Sequence, residues 1–302
     1  MMWNKKGLVF NKHHSQVPVV DEYDFFYRIY YSTRIEGKST PLFIDVDKNN
    51  PSIIIKEHNK SILDLGEKGS FDWAGIMPTE IINYGGKKFL YYIGWSLRQD
   101  VPYHNNLGLA LSDDDGHTWK KFSKGPIFHT SYKEPGYIGT VEIMIENGIW
   151  KMWYLSCLNW IDNNDIMEPT YDIKYATSSN GIDWIPTGLT CIPLEKNEGG
   201  ISCARVIKEE NKYHMWYSVR NKIDYRNNKE NSYRIKKAES IDGIVWEKND
   251  KIELDISDTN EWENTMVCYP FIIEKEKELL MFYNGNNFGK TGIGYARKRR
   301  IN

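Results

Sequence analysis

Ile29-Tyr30-Tyr31, Leu90-Tyr91-Tyr92, Met152-Trp153-Tyr154, Met215-Trp216-Tyr217 and Met281-Phe282-Tyr283 each end a short hydrophobic run on an aromatic couplet. The last tyrosine recurs at steps of 61, 62, 63 and 66 residues. Self-similarity of that length, in a chain with almost no helical periodicity, marks a repeat architecture. Outward from the second couplet, the unit reads Glu80-Ile81-Ile82, a turn, Lys88-Phe89-Leu90-Tyr91-Tyr92-Ile93, a variable loop, Leu107-Gly108-Leu109-Ala110-Leu111, and Trp119-Lys120-Lys121-Phe122. Alternation and β-branched or aromatic content favour strands over helices. Four short antiparallel strands per repeat have the form of a propeller blade. An all-β, five-bladed β-propeller is therefore expected.

The turn before the fourth strand is a second, independent signal. Ser112-Asp113-Asp114-Asp115-Gly116-His117-Thr118-Trp119 matches S-x-D-x-G-x-T-W, the Asp-box pattern of sialidase-like propellers, with shorter relatives at Ser179-Asn180-Gly181-Ile182-Asp183-Trp184 and Ser240-Ile241-Asp242-Gly243-Ile244-Val245-Trp246. Asp or Asn caps the turn, Gly takes a positive φ and Trp packs between sheets, so the motif is read as structural. The last repeat lacks a tryptophan strand of its own, and Trp3-Asn4-Lys5-Lys6-Gly7-Leu8-Val9-Phe10 resembles the segment from Trp119 to Phe128. The N-terminal strand is expected to pair into the C-terminal blade and close the ring.

Repeats cover nearly all of the 302 residues, so one domain over residues 1 to 302 is expected. With 39 basic and 41 acidic residues the net charge is −2, and no global field draws the chain to nucleic acid or to an anionic membrane. The basic run Arg297-Lys298-Arg299-Arg300 reads as a solvated tail. The absence of a signal-peptide-like or membrane-spanning stretch points to a cytoplasmic location. Cys157, Cys191, Cys203 and Cys268 are scattered without a C-x-x-C pair. They are read as core thiols, with no metal site, disulfide framework or cofactor implied.

Counting back twelve positions from the last tyrosine of each couplet gives Val19, Glu80, Glu142, Arg205 and Phe271. These residues are expected to open the innermost strands, where buried charge is costly unless paired or wet. Glu80, Glu142 and Arg205 can line a polar funnel, or Glu142 and Arg205 can form an ion pair that plugs the channel. His14 and Gln16 precede the first inner strand, Asp72 and Trp73 the second, and Glu263 and Tyr269 the fifth; Arg34, Asn284 and Asn286 lie at strand ends. Carboxylates, amides and aromatic rings suit a carbohydrate, because rings stack on the apolar face of a sugar while polar groups bond its hydroxyls. Two carboxylates across a funnel can also hydrolyse a glycoside, one as acid and one as base or nucleophile.

Along its whole length the chain resembles the five-bladed propeller glycosidases, the family 43 arabinanases and xylosidases and the family 32 invertases. The likeness rests on Met152-Trp153-Tyr154, Met215-Trp216-Tyr217-Ser218, Met281-Phe282-Tyr283-Asn284-Gly285-Asn286 and the Asp-box-type turns. It is greatest to uncharacterised glycosidase-like proteins often associated with bacterial surface-polysaccharide gene sets. The resemblance implies a glycoside-processing enzyme acting by inversion, with Glu142 at the acid position. Glu80 stands where the family has a second-blade aspartate, and Gln16-Val17-Pro18-Val19 lacks the first-blade carboxylate, so that Asp72, as its substitute, or Glu80 would activate the water. Arg205 and Tyr269 would orient the sugar. The alternatives are a noncatalytic sugar or sugar-nucleotide binding propeller, and glycosyl transfer to phosphate or another acceptor, with Arg205 and His14 as anion ligands.

Overall fold

The computed structural model describes residues 2–300; Met1, Ile301 and Asn302, which fall in the expected single domain, lie outside the described residues. The alternating sequence folds as strands almost throughout, and among the described residues helix is confined to a 3-10 turn at Glu261–Glu263 and a single turn at Asn286–Gly289. No helix among the described residues is long and apolar enough to cross a membrane.

The strands fall into five groups by antiparallel pairing. The first is β2 (Gln16–Glu22), β3 (Phe26–Ile35), β4 (Lys38–Asp47) and β5 (Ile54–His58), preceded in the chain by β1 (Asn4–Phe10). The second is β6 (Gly75–Tyr84), β7 (Lys87–Ser96), β8 (His104–Ser112) and the two-residue β9 (Lys120–Lys121). The third is β10 (Ile138–Glu146), β11 (Ile149–Asn163), β12 (Ile166–Ser178) and β13 (Ile185–Ile192). The fourth is β14 (Glu198–Glu209), β15 (Lys212–Asn221), β16 (Arg234–Ser240) and β17 (Glu247–Leu254). The last is β18 (Cys268–Glu274), β19 (Glu278–Asn284) and β20 (Ile293–Arg299), with β1 antiparallel to β20, Gly7 opposite Tyr295. Single parallel bridges, Ser39 to Gly75 and Tyr171 to Gly200, join the first group to the second and the third to the fourth.

The first strands of the groups neighbour one another in order, β2 with β6, β6 with β10, β10 with β14, β14 with β18, and β18 again with β2. The couplets hold the groups together. Tyr30, Tyr91, Trp153 and Trp216 meet the tryptophan of the next group, Trp119, Trp184, Trp246 and Trp3, at ring separations of 6.0, 6.4, 6.2 and 6.2 Å and near edge-on angles. Trp3 thus stands in the last group where Trp119, Trp184 and Trp246 stand in theirs. Such pairs contribute about 0.5–1.5 kcal/mol each beyond the area they bury. Hydrogen bonds run beside the rings: Tyr91 Oη donates to Gly181 O at 2.8 Å and Trp153 Nε1 to Gly243 O at 2.6 Å. Gly181 has φ of 74°, and a Cβ there would lie 2.6 Å from Trp150, so only glycine suits that turn. Within the Ser112–Trp119 turn, Asp114 accepts from Ser112 Oγ (2.7 Å), Thr118 N (2.9 Å) and Thr118 Oγ1 (2.6 Å). Its carboxylate is fully engaged in its own loop.

The four cysteines are free and buried. The basic run differs from the expected tail: Arg297, Lys298 and Arg299 belong to β20. Arg297 pairs with Glu278 at 3.1 Å and Lys298 with Glu253 at 2.7 Å. The strand continues because its inner face still packs, with Tyr295 and Ala296 buried.

Candidate functional site

Val19, Glu80, Glu142, Arg205 and Phe271 lie opposite Tyr30, Tyr91, Trp153, Trp216 and Phe282, the first aromatic of each couplet. They do not open their strands. Each follows a register shift, at Gln16/Val19, Pro78/Glu80, Ile138/Val141, Ser202/Arg205 and Cys268/Phe271. A bulge at the same place in all five first strands bends the strand and re-aims its side chains. At three of the bulges a residue other than glycine takes a left-handed backbone: Val17 (φ 56°), Cys203 (φ 48°) and Tyr269 (φ 56°). That conformation is sparsely populated and persists only where neighbours over-determine it. Here they do: Val17 N donates to Asn284 Oδ1 at 2.8 Å, Cys203 N to Thr140 Oγ1 at 2.9 Å and Tyr269 N to Ser218 Oγ at 2.8 Å.

Beyond the bulges sits a buried ionic cluster. Arg205 Nη1 donates to Glu80 Oε2 and, at 2.7 Å, to Glu142 Oε2. Its Nη2 donates to Thr79 O at 2.7 Å, its Nε to Pro270 O at 3.2 Å, and its guanidinium lies 4.2 Å from the centre of the Phe271 ring. The remaining carboxylate oxygens accept backbone hydrogens, Glu80 Oε1 from Ile81 N (2.8 Å) and Glu142 Oε1 from Val206 N (3.0 Å). Burial pushes the Glu80 carboxyl well above the usual carboxylate range, with Glu142 pushing the same way against Arg205. Glu80, Glu142 and Arg205 thus take the ion-paired arrangement, because an arginine fork between two glutamates satisfies charges that are held away from solvent.

Asp72 has an equally complete set of partners: Lys121 Nζ at 2.6 Å, Tyr92 Oη at 3.2 Å and Ser70 Oγ at 3.0 Å. The device recurs. Glu134 accepts from Tyr154 Oη (2.8 Å) and Lys174 Nζ (3.0 Å), and Glu263 accepts from Tyr283 Oη (2.8 Å) and is ion-paired with Lys5 Nζ at 2.8 Å. In each case an acid twenty residues before the last tyrosine of the couplet ties that tyrosine to a lysine of the third or fourth strand.

On the other side of the bulges is a cavity of about 400 Å³, within the ~300–1,000 Å³ range of small-molecule sites. Its floor is Gln16 and Val17 of β2, Met77 of β6, Thr140 of β10, Ser202 of β14 and Tyr269 of β18. Tyrosines 103, 137, 171, 225 and 233, with Phe288, supply walls, and His14, Arg34, Trp95, Asn105 and Arg226 supply polar groups. Among the described residues no aspartate or glutamate lines it. Three of the lining residues carry a buried polar atom without a protein partner: Gln16 Oε1, Ser202 Oγ and Trp95 Nε1. The wall is rigid. Arg220 is buried against Tyr225 (3.8 Å) and donates to Pro169 O (2.5 Å) and Tyr171 Oη (3.1 Å), while Tyr171 and Tyr233 share a hydrogen bond. His14 Nε2 lies 3.0 Å from Phe288 O, and burial holds the ring below its ordinary pKa.

Of the residues singled out from the sequence, His14, Gln16, Arg34 and Tyr269 come together at the cavity. Glu142, Glu80, Arg205, Asp72, Glu263, Trp73, Asn284 and Asn286 do not line it. Asn284 joins the ends of the chain, donating to Ser15 O (2.6 Å) and accepting from Val17 N; Asn286 pins its own loop through Thr265 N and Met266 N. Trp73 is half-buried with Lys38 Nζ 5.7 Å from its ring centre. Ser202, Trp95, Tyr103, Tyr171, Tyr233 and Arg226 were not foreseen. Counting back fifteen residues instead of twelve would have reached Gln16, Met77, Gly139 and Ser202.

The same architecture recurs in solved proteins. A thermostable family-43 glycoside hydrolase superposes with a TM-score of 0.71 at 18% identity, covering 99% of this chain and 93% of that one. BT0996 in a complex with RGII superposes with a TM-score of 0.75 at 15% identity, covering 99% and 92%. The chain has the glycoside-hydrolase propeller-type fold. No protein-family model matches it. Uncharacterised proteins from two strains of Mycobacterium tuberculosis, CDC 1551 / Oshkosh and ATCC 25618 / H37Rv, are each 29% identical over 309 residues, covering 98% of this chain and 99% of theirs.

Proposed function

We propose that the chain is a single five-bladed propeller, closed by β1, that binds a sugar or sugar conjugate in the cavity formed by its bulged inner strands. The observation that carries this reading is the contrast at the bulges. The carboxylates beyond them are saturated with partners, while Gln16, Ser202 and Trp95, which line the cavity, each carry a buried polar atom without a protein partner. Tyrosine and tryptophan walls with a few hydrogen-bonding side chains suit the two faces of a sugar ring. The presence of RGII in one solved complex of this fold supports the carbohydrate reading. A glycan array followed by calorimetry on the best ligand tests it: the expected result is saturable binding that Ser202→Trp, which fills the floor, abolishes without unfolding the chain. Binding that survives filling of the floor would place the site elsewhere.

A second reading, glycoside processing, is favoured by the upward push that burial and the neighbouring Glu142 give the Glu80 carboxyl. A protonated carboxyl beside an ionised one is the pairing that an inverting hydrolase needs. Glu80 would then donate the proton and Glu142 activate water, the reverse of the roles expected from the sequence, and the bonds to Arg205 would have to open. Product release from the bound glycan, lost in Glu142→Gln, would establish it; binding without release selects the first reading. Phosphate-dependent release would identify transfer to phosphate. A cytoplasmic glycan intermediate of surface-polysaccharide metabolism is the ligand class that accords with the resemblance seen in the sequence.

A further inference from the structure

Three arginines stand at or behind the cavity wall, and two of them are held by protein partners. Arg226 is forked onto Glu168 through Nε at 2.8 Å and Nη2 at 3.3 Å. Arg220 directs its N–H groups to Pro169 O, Asn221 O and Tyr171 Oη. Arg34 differs. It lies near the end of β3, lines the cavity and places its guanidinium carbon 5.2 Å from the centre of the Trp95 ring. The titratable groups around it include Tyr269, Tyr103 and His14, and among the described residues no carboxylate lines the cavity with it.

With no acid among the described residues of the lining, the cavity carries an unmatched positive charge on Arg34, an exposed residue of the lining beside the Trp95 ring. Aromatic surface next to that charge strengthens its field on whatever enters. A planar guanidinium with free N–H groups fits the paired oxygens of a carboxylate or phosphate, and charge-assisted bonds of that kind are about twice as strong as neutral ones. His14 adds a complementary feature. A carbonyl only accepts, so in the neutral ring Nε2 carries the hydrogen toward Phe288 O and Nδ1 is left as an acceptor. That acceptor suits a sugar hydroxyl and repels a second anionic oxygen.

We infer that the cavity selects sugars bearing a carboxylate or a phosphate, and that Arg34 is the group that holds the anion. This inference rests on the sugar-binding reading above and goes beyond it by naming the ligand class. The test compares matched pairs by ligand-observed NMR and calorimetry, galacturonic acid against galactose and glucose 1-phosphate against glucose, with the wild-type chain and Arg34→Gln. At least one anionic sugar is expected to bind about tenfold or more tightly than its neutral partner. That preference should shrink at high salt and vanish in Arg34→Gln, whose unfolding midpoint stays at the wild-type value. Preference in the first pair alone identifies a uronic acid, and in the second alone a sugar phosphate. Equal binding of both members of each pair would overturn the anion assignment and leave the sugar site standing. Failure of all four, with a blank glycan array, would overturn the sugar reading and this inference together.

Discussion

On the same three strands, β6, β10 and β14, the cavity lining and the ionic cluster stand three residues apart and have opposite characters. Met77, Gly139 and Ser202 face the cavity, and three residues on, Glu80, Glu142 and Arg205 close on one another. The cluster has the charges and almost no unused hydrogen-bonding capacity; the floor has few charges and several atoms without partners. On a symmetric scaffold, charge density alone is therefore a poor guide to a ligand site. Unsatisfied polar groups beside a cavity are a better one, because burying them without a partner is costly unless a ligand or water supplies it.

Breaking the cluster should have the largest effect. Arg205→Met leaves Glu80 and Glu142 buried without their cation, and a loss of about 3–5 kcal/mol is expected in denaturant unfolding. Glu80→Gln removes one of the two oxygens that accept from Ile81 N and Arg205 and should cost less, about 1–3 kcal/mol. A small effect of Arg205→Met would mean that solvent reaches the cluster, and the contrast with the cavity would collapse.

Asp72→Ala is the next largest, at about 2–3 kcal/mol, since it strands the Tyr92 hydroxyl and Lys121. It should leave ligand affinity unchanged. Altered affinity with normal folding would return Asp72 to the functional site.

Asp172 extends the comparison to a buried acid with too few partners. It accepts from Thr190 Oγ1 at 2.9 Å, its Oδ1 has no partner, and burial pushes its carboxyl up to about 6. The folded chain therefore holds this proton more tightly than the unfolded one, where the value is about 3.9. Its contribution to stability is complete below about pH 4 and is lost as pH rises through about 6. Asp172→Asn should flatten that part of the stability profile by about 1–3 kcal/mol, as read by unfolding from pH 4 to 8.

How far the sequence reaches follows from these same residues. The couplets carried the repeat, and the twelve-residue offset placed Val19, Glu80, Glu142, Arg205 and Phe271 in one register opposite the couplets. The segment from Trp3 to Phe10 identified the strand that pairs with β20. Hidden from it were the bulges, because Val17, Cys203 and Tyr269 adopt left-handed backbones without the glycine or asparagine that usually announces them. The offset between the charged layer and the cavity layer arises there. Tyr103, Tyr171 and Tyr225 were equally hidden, since they reach the wall through tertiary packing from three different strands or loops and obey no common spacing.

The smallest effect on stability should come from the floor itself. Ser202→Ala and Gln16→Ala remove groups without protein partners and should shift unfolding by no more than about 0.5 kcal/mol, while weakening ligand binding about tenfold. Strong destabilisation with unchanged binding would reverse the roles assigned to the two regions.

The most direct test is a crystal structure of the protein with its best-binding glycan. The sugar is expected against Gln16, Ser202 and Trp95 with the Arg205 bonds to Glu80 and Glu142 intact. A sugar in contact with Glu80 or Glu142, with those bonds opened, would contradict the account.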